Sequence, residues 1–143
     1  MPGLILKLGP GERFVANGVV IENGDRRARL NILTPDSKVL RLRDAIHPDE
    51  ADTPVKRVCY IIQLALAGEA DEADAVRQAR LGIEQLACVF TDGEVRSKLS
   101  SADENVAEGR FYPALRTLQG ILPIEQRLMD FAKCAEQRET LAT

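Results

Sequence analysis

Two apolar runs flank an Asn-Gly pair in the stretch Arg13-Phe14-Val15-Ala16-Asn17-Gly18-Val19-Val20-Ile21. Such a pair is the strongest local signal for a two-residue β-hairpin, because both turn residues need a positive φ. A third apolar run, Leu4–Leu8, comes before the hairpin and ends at Gly9-Pro10-Gly11. The first 21 residues therefore predict three short strands joined by tight turns.

Polar and apolar residues alternate in the next two segments, 27–33 and 38–43. Alternation is typical of a strand with one buried face. In the first segment, the polar side carries Arg27, Arg29 and Asn31 and the apolar side carries Ala28, Leu30 and Ile32. In the second, the polar side carries Arg41 and Arg43 and the apolar side carries Leu40 and Leu42. If these last two strands pair, their four arginines share one face of the sheet.

Helical periodicity replaces this alternation after residue 47. Thr53-Pro54 has the residue types of an N-cap and a first helical position. Apolar residues then recur at intervals of three and four in a first helix that ends near Gly68 and in a second over 71–90. A short helix is predicted around 95–99, a new helix start with capping-box spacing at Ser101, another helix after a glycine turn at Gly109, and a helix restart at 121–125.

The predicted fold class is α+β. A small antiparallel sheet of about five short strands (1–47) precedes a helical bundle of four to six helices (48–143). The charge is divided in the same way. The whole chain has a net charge of −3, but residues 1–47 hold 8 Lys and Arg against 5 Asp and Glu, and residues 48–143 hold 11 against 17. A net charge of +3 on the sheet and −6 on the helices indicates two different surfaces.

The residues that usually carry catalysis are sparse. The three cysteines, Cys59, Cys88 and Cys134, are far apart, so we expect neither a disulfide framework nor a zinc site. Cys59 and Cys88 stand among apolar neighbours and are predicted to be buried. The single histidine, His47, precedes a proline in a predicted linker, and no phosphate-loop, nucleophile-elbow or metalloprotease motif is present. The sequence therefore predicts no enzyme activity and no cofactor or metal.

Nucleic-acid binding is the sharper interpretation of the basic residues in the sheet. The candidate RNA-binding residues are Lys7, Arg13, Arg27, Arg29, Arg41 and Arg43. Arginine presents a planar fork that matches phosphate oxygens and base edges. The alternative is an ordinary solvated face on which these side chains pair with acidic residues of the same chain. Aromatic residues for stacking on bases are scarce, since the predicted sheet offers only Phe14.

Several short motifs, in order along nearly the whole chain, resemble the FlbT family of flagellum biosynthesis repressors. They are Lys7-Leu8, Gly11-Glu12-Arg13, Asn17-Gly18, Thr53-Pro54, Gly109-Arg110 with Ala114-Leu115, and Leu122-Pro123-Ile124-Glu125. The resemblance implies a bacterial regulator that acts after transcription on the untranslated leader of flagellin messenger RNA and alters its translation and decay. It also implies the partner protein FlaF. Some members activate rather than repress, so the sign of control stays open.

Residues 1–47 also resemble the RNA-binding sheet of the carbon-storage regulator, CsrA. The segments that carry this resemblance are Leu4-Ile5-Leu6, Gly11-Glu12, Gly18, Leu30-Asn31-Ile32, Pro35, Lys38-Val39 and Leu42-Arg43-Asp44. The family's five strands are exchanged between two chains, and its RNA surface combines the first strand with an arginine just after the fifth. By position these would be residues 4–7 and Arg43. The third strand is shorter here, which leaves strand exchange open.

A protein-binding module is the second functional hypothesis. Its acidic helices would hold a segment of flagellin or FlaF in a groove lined by Leu115, Leu118, Leu122 and Leu128, and any effect on the messenger RNA would be indirect. Open strand edges favour a homo-oligomer. No apolar run reaches the roughly 18 residues of a membrane helix, and the N-terminus does not look like a signal peptide. We therefore expect a cytoplasmic protein.

Overall fold

Five short strands precede five α-helices in the computed structural model, which describes residues 4–34 and 37–142. The strands are β1 (Leu4–Leu8), β2 (Arg13–Ala16), β3 (Val19–Glu22), β4 (Ala28–Ile32) and β5 (Val39–Arg41). The helices are α1 (Pro54–Leu66), α2 (Glu72–Val89), α3 (Gly93–Ala107), α4 (Phe111–Gln119) and α5 (Leu122–Ala142). Two single 3-10 turns, Leu42–Asp44 and Pro48–Glu50, connect the two parts. The predicted α+β class is confirmed.

The Asn-Gly hairpin is present as predicted. Asn17 has a φ of 51° and Gly18 a φ of 85°, the two positive values that a type I′ turn requires. The flanking strands β2 and β3 pair antiparallel, from Arg13 opposite Glu22 to Ala16 opposite Val19. This hairpin is encoded locally by the two turn residues.

The pairing of the last two strands differs from the prediction. β4 pairs antiparallel with β1, and β5 pairs with the other edge of β2, so the strands form a two-stranded sheet and a three-stranded sheet in the order β3-β2-β5. The reason lies in the connection between β3 and β4. The side-chain amide of Asn23 donates to the carbonyl of Gly9, and the N–H of Gly11 donates to the carbonyl of Gly24. These bonds hold the connection against the β1–β2 turn and direct β4 to β1.

Two apolar clusters divide the interior. A small one lies under the strands and consists of Leu6, Leu8, Phe14 and Val39, with Leu4, Ala16 and Ile32 at its edge. The large one fills the helical part, where α1 contributes a wide stripe from Val55 to Leu66. Leu40 of β5 belongs to the large cluster, so β5 has apolar contacts on both sides. The division into domains at residue 47 stays a prediction.

Helix α3 corrects the prediction of a helix start at Ser101. It is one continuous helix, capped by Asp92, whose carboxylate accepts from the N–H of Val95. Its buried residues are Val95, Leu99, Ala102 and Val106. Their spacing of four, three and four continues through Ser101, so burial of this stripe outweighs the local capping signal.

The start of α5 is fastened to the start of α1. The carboxylate of Glu125 is buried and accepts hydrogen bonds from the hydroxyl of Thr53 and from the N–H of Val55, the latter at 2.9 Å. The N-terminus of a helix favours such a negative charge. Two of the motifs on which the family resemblance depends, Thr53-Pro54 and Leu122-Pro123-Ile124-Glu125, therefore meet in space.

The predicted burial of the cysteines is right for one residue and wrong for the other. Cys59 is buried, and burial together with the neighbouring charge of Glu125 raises the pKa of its thiol to about 12. Cys88 is exposed, although its sequence neighbours are apolar. It lies on the side of α2 away from the buried Ile83 and Leu86, near the end of the helix.

Candidate nucleic-acid interface

The exposed face of the β1–β4 sheet is positively charged. Lys7 and Arg29 stand directly opposite each other in the register, and both side chains are exposed. Arg27 is exposed one residue before β4 begins. Like charges placed opposite each other on a sheet destabilise it. A bound anion would relieve this repulsion, and we call Lys7, Arg27 and Arg29 the bare cationic face.

No acidic side chain of residues 4–34 and 37–137 forms an ion pair with any member of this face. The ion pairs of the described chain involve other residues, including the remaining three candidates from the sequence: Arg13, Arg41 and Arg43. The six predicted RNA-binding residues therefore separate into two groups of three. The alternative of an internally paired, solvated face describes Arg13 and Arg43 of the second group and does not describe the first group.

Arg41 corrects the prediction that it lies on the polar face of its strand. It is 6% exposed. Its Nε donates to Oε1 of Glu12 at 2.8 Å, and its Nη2 donates to the carbonyl oxygen of Lys7 at 2.6 Å. β5 lies between the small cluster and the helices, so neither of its faces is open. Arg41 thus ties β5 to the end of β1 and is not available to a ligand.

Glu12 is the acceptor at the centre of this second group. Burial alone raises the pKa of its carboxyl, but hydrogen bonds from the N–H of Gly9 and from Arg41, with the charges of Arg41 and Arg43, outweigh burial and lower the pKa below its ordinary value of 4.5. Its Oε2 accepts from Gly9 at 2.8 Å. The ionised carboxylate therefore holds the β1–β2 turn and the end of β5 together.

Arg43 and Arg13 are exposed but paired. Arg43 follows β5, and its Nε lies 3.5 Å from the same Glu12 oxygen that Arg41 contacts, which places it near the end of β1. Arg13 lies in the other sheet, with its Nε 3.3 Å from Glu22. Of the two, Arg43 is the one that contacts Glu12, whose carboxylate also accepts from the N–H of Gly9, the residue after β1.

Two residues with no charge complete the exposed face. Ile5 and Asn31 are opposite each other, next to the Lys7 and Arg29 pair. Asn31 offers an amide that both donates and accepts, as base edges require, and Ile5 offers apolar surface. Sequence periodicity placed Asn31 on this face but missed Ile5, because the β1–β4 register was not evident. Phe14, the one aromatic residue expected there, is buried in the small cluster instead.

The predicted groove for a protein partner is corrected by the packing of α4. Leu115 and Leu118 are buried in the large cluster and line no open groove, and Leu122 is partly buried against it. Leu128 is exposed. It lines a different groove, of about 470 Å³, between α1, α2 and the first turns of α5. The apolar lining of this groove includes Ile61, Leu81, Val89, Leu128 and Met129.

No three His, Cys, Asp or Glu side chains in the part of the chain that the structure describes come together to form a possible metal site. In the same residues, no helix has the length and apolar character to cross a membrane.

The fold and the face define a small α+β protein with a cationic strand surface and an acidic helical body. Residues 4–129 match the family described as flagellar protein FlbT. The match covers far more than half of the chain, so this chain belongs to the FlbT family. The resemblance found in the sequence motifs is confirmed.

Individual relatives agree with the family match. The chain is 30% identical to the probable flagellum biosynthesis repressor protein FlbT of Allorhizobium ampelinum over 89% of this chain and 84% of that protein. It is 31% identical to the protein of the same name in Mesorhizobium japonicum, over 88% and 84%. With the one from Caulobacter sp. strain K31 the identity is 32%, over 87% and 95%. No solved structure matches, and the resemblance to carbon-storage-regulator sheets stays a prediction.

Proposed function

We propose that this protein is a cytoplasmic, post-transcriptional regulator of flagellum biogenesis that binds the 5′ untranslated leader of flagellin messenger RNA and alters its translation and decay. The observation that carries the proposal is the bare cationic face, where Lys7 opposes Arg29 with no acidic partner. The names of the relatives, which describe repressors of flagellum biosynthesis, favour repression as the sign of control.

The binding mode follows from the composition of the face. Three cations contact phosphate oxygens, and the adjacent Asn31 hydrogen-bonds to base edges of single-stranded segments. Base stacking contributes little, because Phe14 is buried. The acidic helical body repels RNA elsewhere and confines binding to the sheet. Repression then results when the bound protein blocks the leader from the ribosome and presents it for decay.

A titration of labelled leader RNA with the purified protein tests this proposal. Removal of two of the three cations in Arg27→Ala/Arg29→Ala is expected to weaken binding by roughly tenfold or more. The matched control is Arg96→Ala/Arg127→Ala, which removes the same charge from exposed positions on α3 and α5. Equal affinity of the two double variants would remove the RNA site from this face.

The second candidate function is an adaptor that binds a helix of flagellin or FlaF. The observation that favours it is the apolar groove between α1, α2 and α5, where Leu81, Val89 and Leu128 are exposed. Grooves of this kind accept the apolar face of an amphipathic helix. Calorimetric titration of purified FlaF and of flagellin into the protein tests it. Tight binding that Leu81→Asp abolishes, with no affinity for leader RNA at low salt, would favour the adaptor.

A further inference from the structure

Strand β3 has an open edge and little cover on either face. Val19 and Val20 are 60% and 63% exposed, and Ile21 and Glu22 are exposed as well. Within the described residues β3 pairs with β2 alone. Monomeric proteins usually protect such an edge with lysine, proline or a bulge. An edge of three consecutive β-branched apolar residues indicates a surface that is covered in the working protein.

The hydrogen-bonding groups of this edge are free for a partner strand. In a two-residue hairpin, the pair that flanks the turn exchanges both backbone bonds, and the next pair exchanges none. Ala16 and Val19 flank the turn here. The N–H and C=O groups of Val20 and Glu22 therefore point away from β2, in the direction that an added antiparallel strand would occupy.

Strand β4 has the complementary open edge. It pairs with β1 alone in the described chain, although it follows β3 directly in the sequence. Ile32 lies at the edge of the small cluster, and Leu30, which points to the same side of β4, is exposed. Consecutive strands usually lie side by side. The hydrogen bonds of Asn23 and Gly24 with the β1–β2 turn keep β3 and β4 apart within one chain. Both strand edges therefore remain unpaired in the described residues.

We propose that a second copy of this chain covers both edges, with β3 of each protomer paired antiparallel to β4 of the other. The contact is isologous and closes as a twofold dimer. It joins the two-stranded sheet of one protomer to the three-stranded sheet of its partner. Each chain keeps all five of its own strands.

The side chains of the two edges match in polarity and in charge. Val19 and Ile21 lie on the cluster side of β3, because they oppose Ala16 and Phe14. When they meet the cluster side of β4, the other side brings Glu22 opposite Arg27 or Arg29 of the partner, depending on the register. The carboxylate of Glu22, which also pairs with Arg13 of its own chain, thus meets an arginine of the partner across the interface. Lys7 and one of the two arginines stay unpaired, so the dimer carries two cationic faces.

The test is the mass of the purified full-length protein by sedimentation equilibrium at tens of micromolar. We expect twice the chain mass of 15.7 kDa for the wild type and 15.7 kDa for Val20→Lys, which places a charge on the β3 edge. The matched control is Val89→Lys, because Val89 is 73% exposed on α2, away from both edges. It is expected to keep the doubled mass. Circular dichroism checks that both variants retain the helical content.

An exchange of charges between Glu22 and the arginines tests the same interface without replacing an apolar residue. Glu22→Arg is expected to shift the protein to the single-chain mass, and Glu22→Arg/Arg27→Glu/Arg29→Glu is expected to restore the doubled mass. A wild type of 15.7 kDa, a doubled mass for Val20→Lys, or dissociation by Val89→Lys equal to that by Val20→Lys would each overturn the proposal. RNA binding does not enter these measurements, so the dimer and the proposed function can fail separately.

Discussion

The two groups of basic residues in the sheet have the same chemistry and opposite surroundings. Lys7, Arg27 and Arg29 stand exposed with no acidic partner in the described chain, whereas Arg41 is buried against Glu12. The difference comes from acidic residues that are distant in sequence, since Glu12 and Arg41 are 29 positions apart. A cluster of arginines in a sequence is therefore not one site. The pairing of the strands decides which of them hold the fold and which remain available to a ligand.

The largest expected effect comes from removing the buried ion pair between Glu12 and Arg41. Glu12→Ala leaves the guanidinium of Arg41 buried without its partner, and loss of one member of a buried pair costs about 3 kcal/mol or more of the free energy of unfolding. Urea unfolding followed by circular dichroism measures this. A loss below about 1 kcal/mol would contradict the role that we give to Arg41.

The bare cationic face is expected to respond in the opposite sense. Arg27→Ala/Arg29→Ala removes repulsion with Lys7, so the free energy of unfolding should stay within about 0.5 kcal/mol of the wild type or rise slightly. Affinity for the leader RNA should fall by roughly tenfold or more. Thermal unfolding on the samples used for RNA titration checks both. If the variant lost both stability and RNA affinity, Arg27 and Arg29 would have to be counted among the residues that stabilise the fold.

Acid is expected to lower the free energy of unfolding through the carboxylate of Glu12. The pKa of Glu12 is lowered in the folded protein, so its ionised form stabilises the fold above its ordinary value of 4.5 and this contribution is lost as pH falls through the lowered value. We expect the free energy of unfolding to decrease below about pH 4.5 in the wild type and to decrease less in Glu12→Gln. Urea titrations at pH 6, 4.5 and 3.5 measure the difference. Equal slopes for the two proteins would show that Glu12 is not responsible.

The smallest expected effect concerns Arg13, which is neither buried like Arg41 nor without an acidic partner like Arg29. Its pair with Glu22 is more than half exposed on both sides. Exposed pairs contribute about 0–1 kcal/mol, so Arg13→Ala should change stability by less than about 1 kcal/mol. Its distance from β1 and β4 in the strand pairing predicts a small effect on RNA affinity as well. A loss equal to that of Arg27→Ala/Arg29→Ala would extend the RNA surface to the second sheet.

Local signals in the sequence predicted the parts of the fold that local contacts determine. The Asn17-Gly18 turn and the Thr53-Pro54 helix start are encoded within a few residues, and both are present. The β1–β4 pairing was missed because it depends on the bonds of Asn23 and Gly24 to a turn more than ten residues away. The false helix start at Ser101 has a similar cause, since burial of a continuous stripe overrides a local capping pattern.

Half of the predicted RNA surface follows from the sequence, and half depends on long-range pairing. Alternation correctly placed Arg29 and Asn31 on one face of β4. The same argument failed for Arg41, because β5 is covered on both sides and a strand with two buried faces has no polar side. The predicted partner groove failed for the same physical reason, since Leu115 and Leu118 have the periodicity of a core stripe and are buried in it.

The salt dependence of RNA binding tests the central claim most directly, because it counts the cations that contact phosphate. For three contacts with single-stranded RNA, the logarithm of the association constant should fall with the logarithm of the salt concentration with a slope of about −2, or of about −1.4 when Glu22 of a second copy pairs with one of the arginines. Arg27→Ala/Arg29→Ala should reduce the slope to about −0.7, and Arg96→Ala/Arg127→Ala should leave it unchanged. A slope that does not differ between the wild type and Arg27→Ala/Arg29→Ala would contradict the assignment of RNA binding to this face.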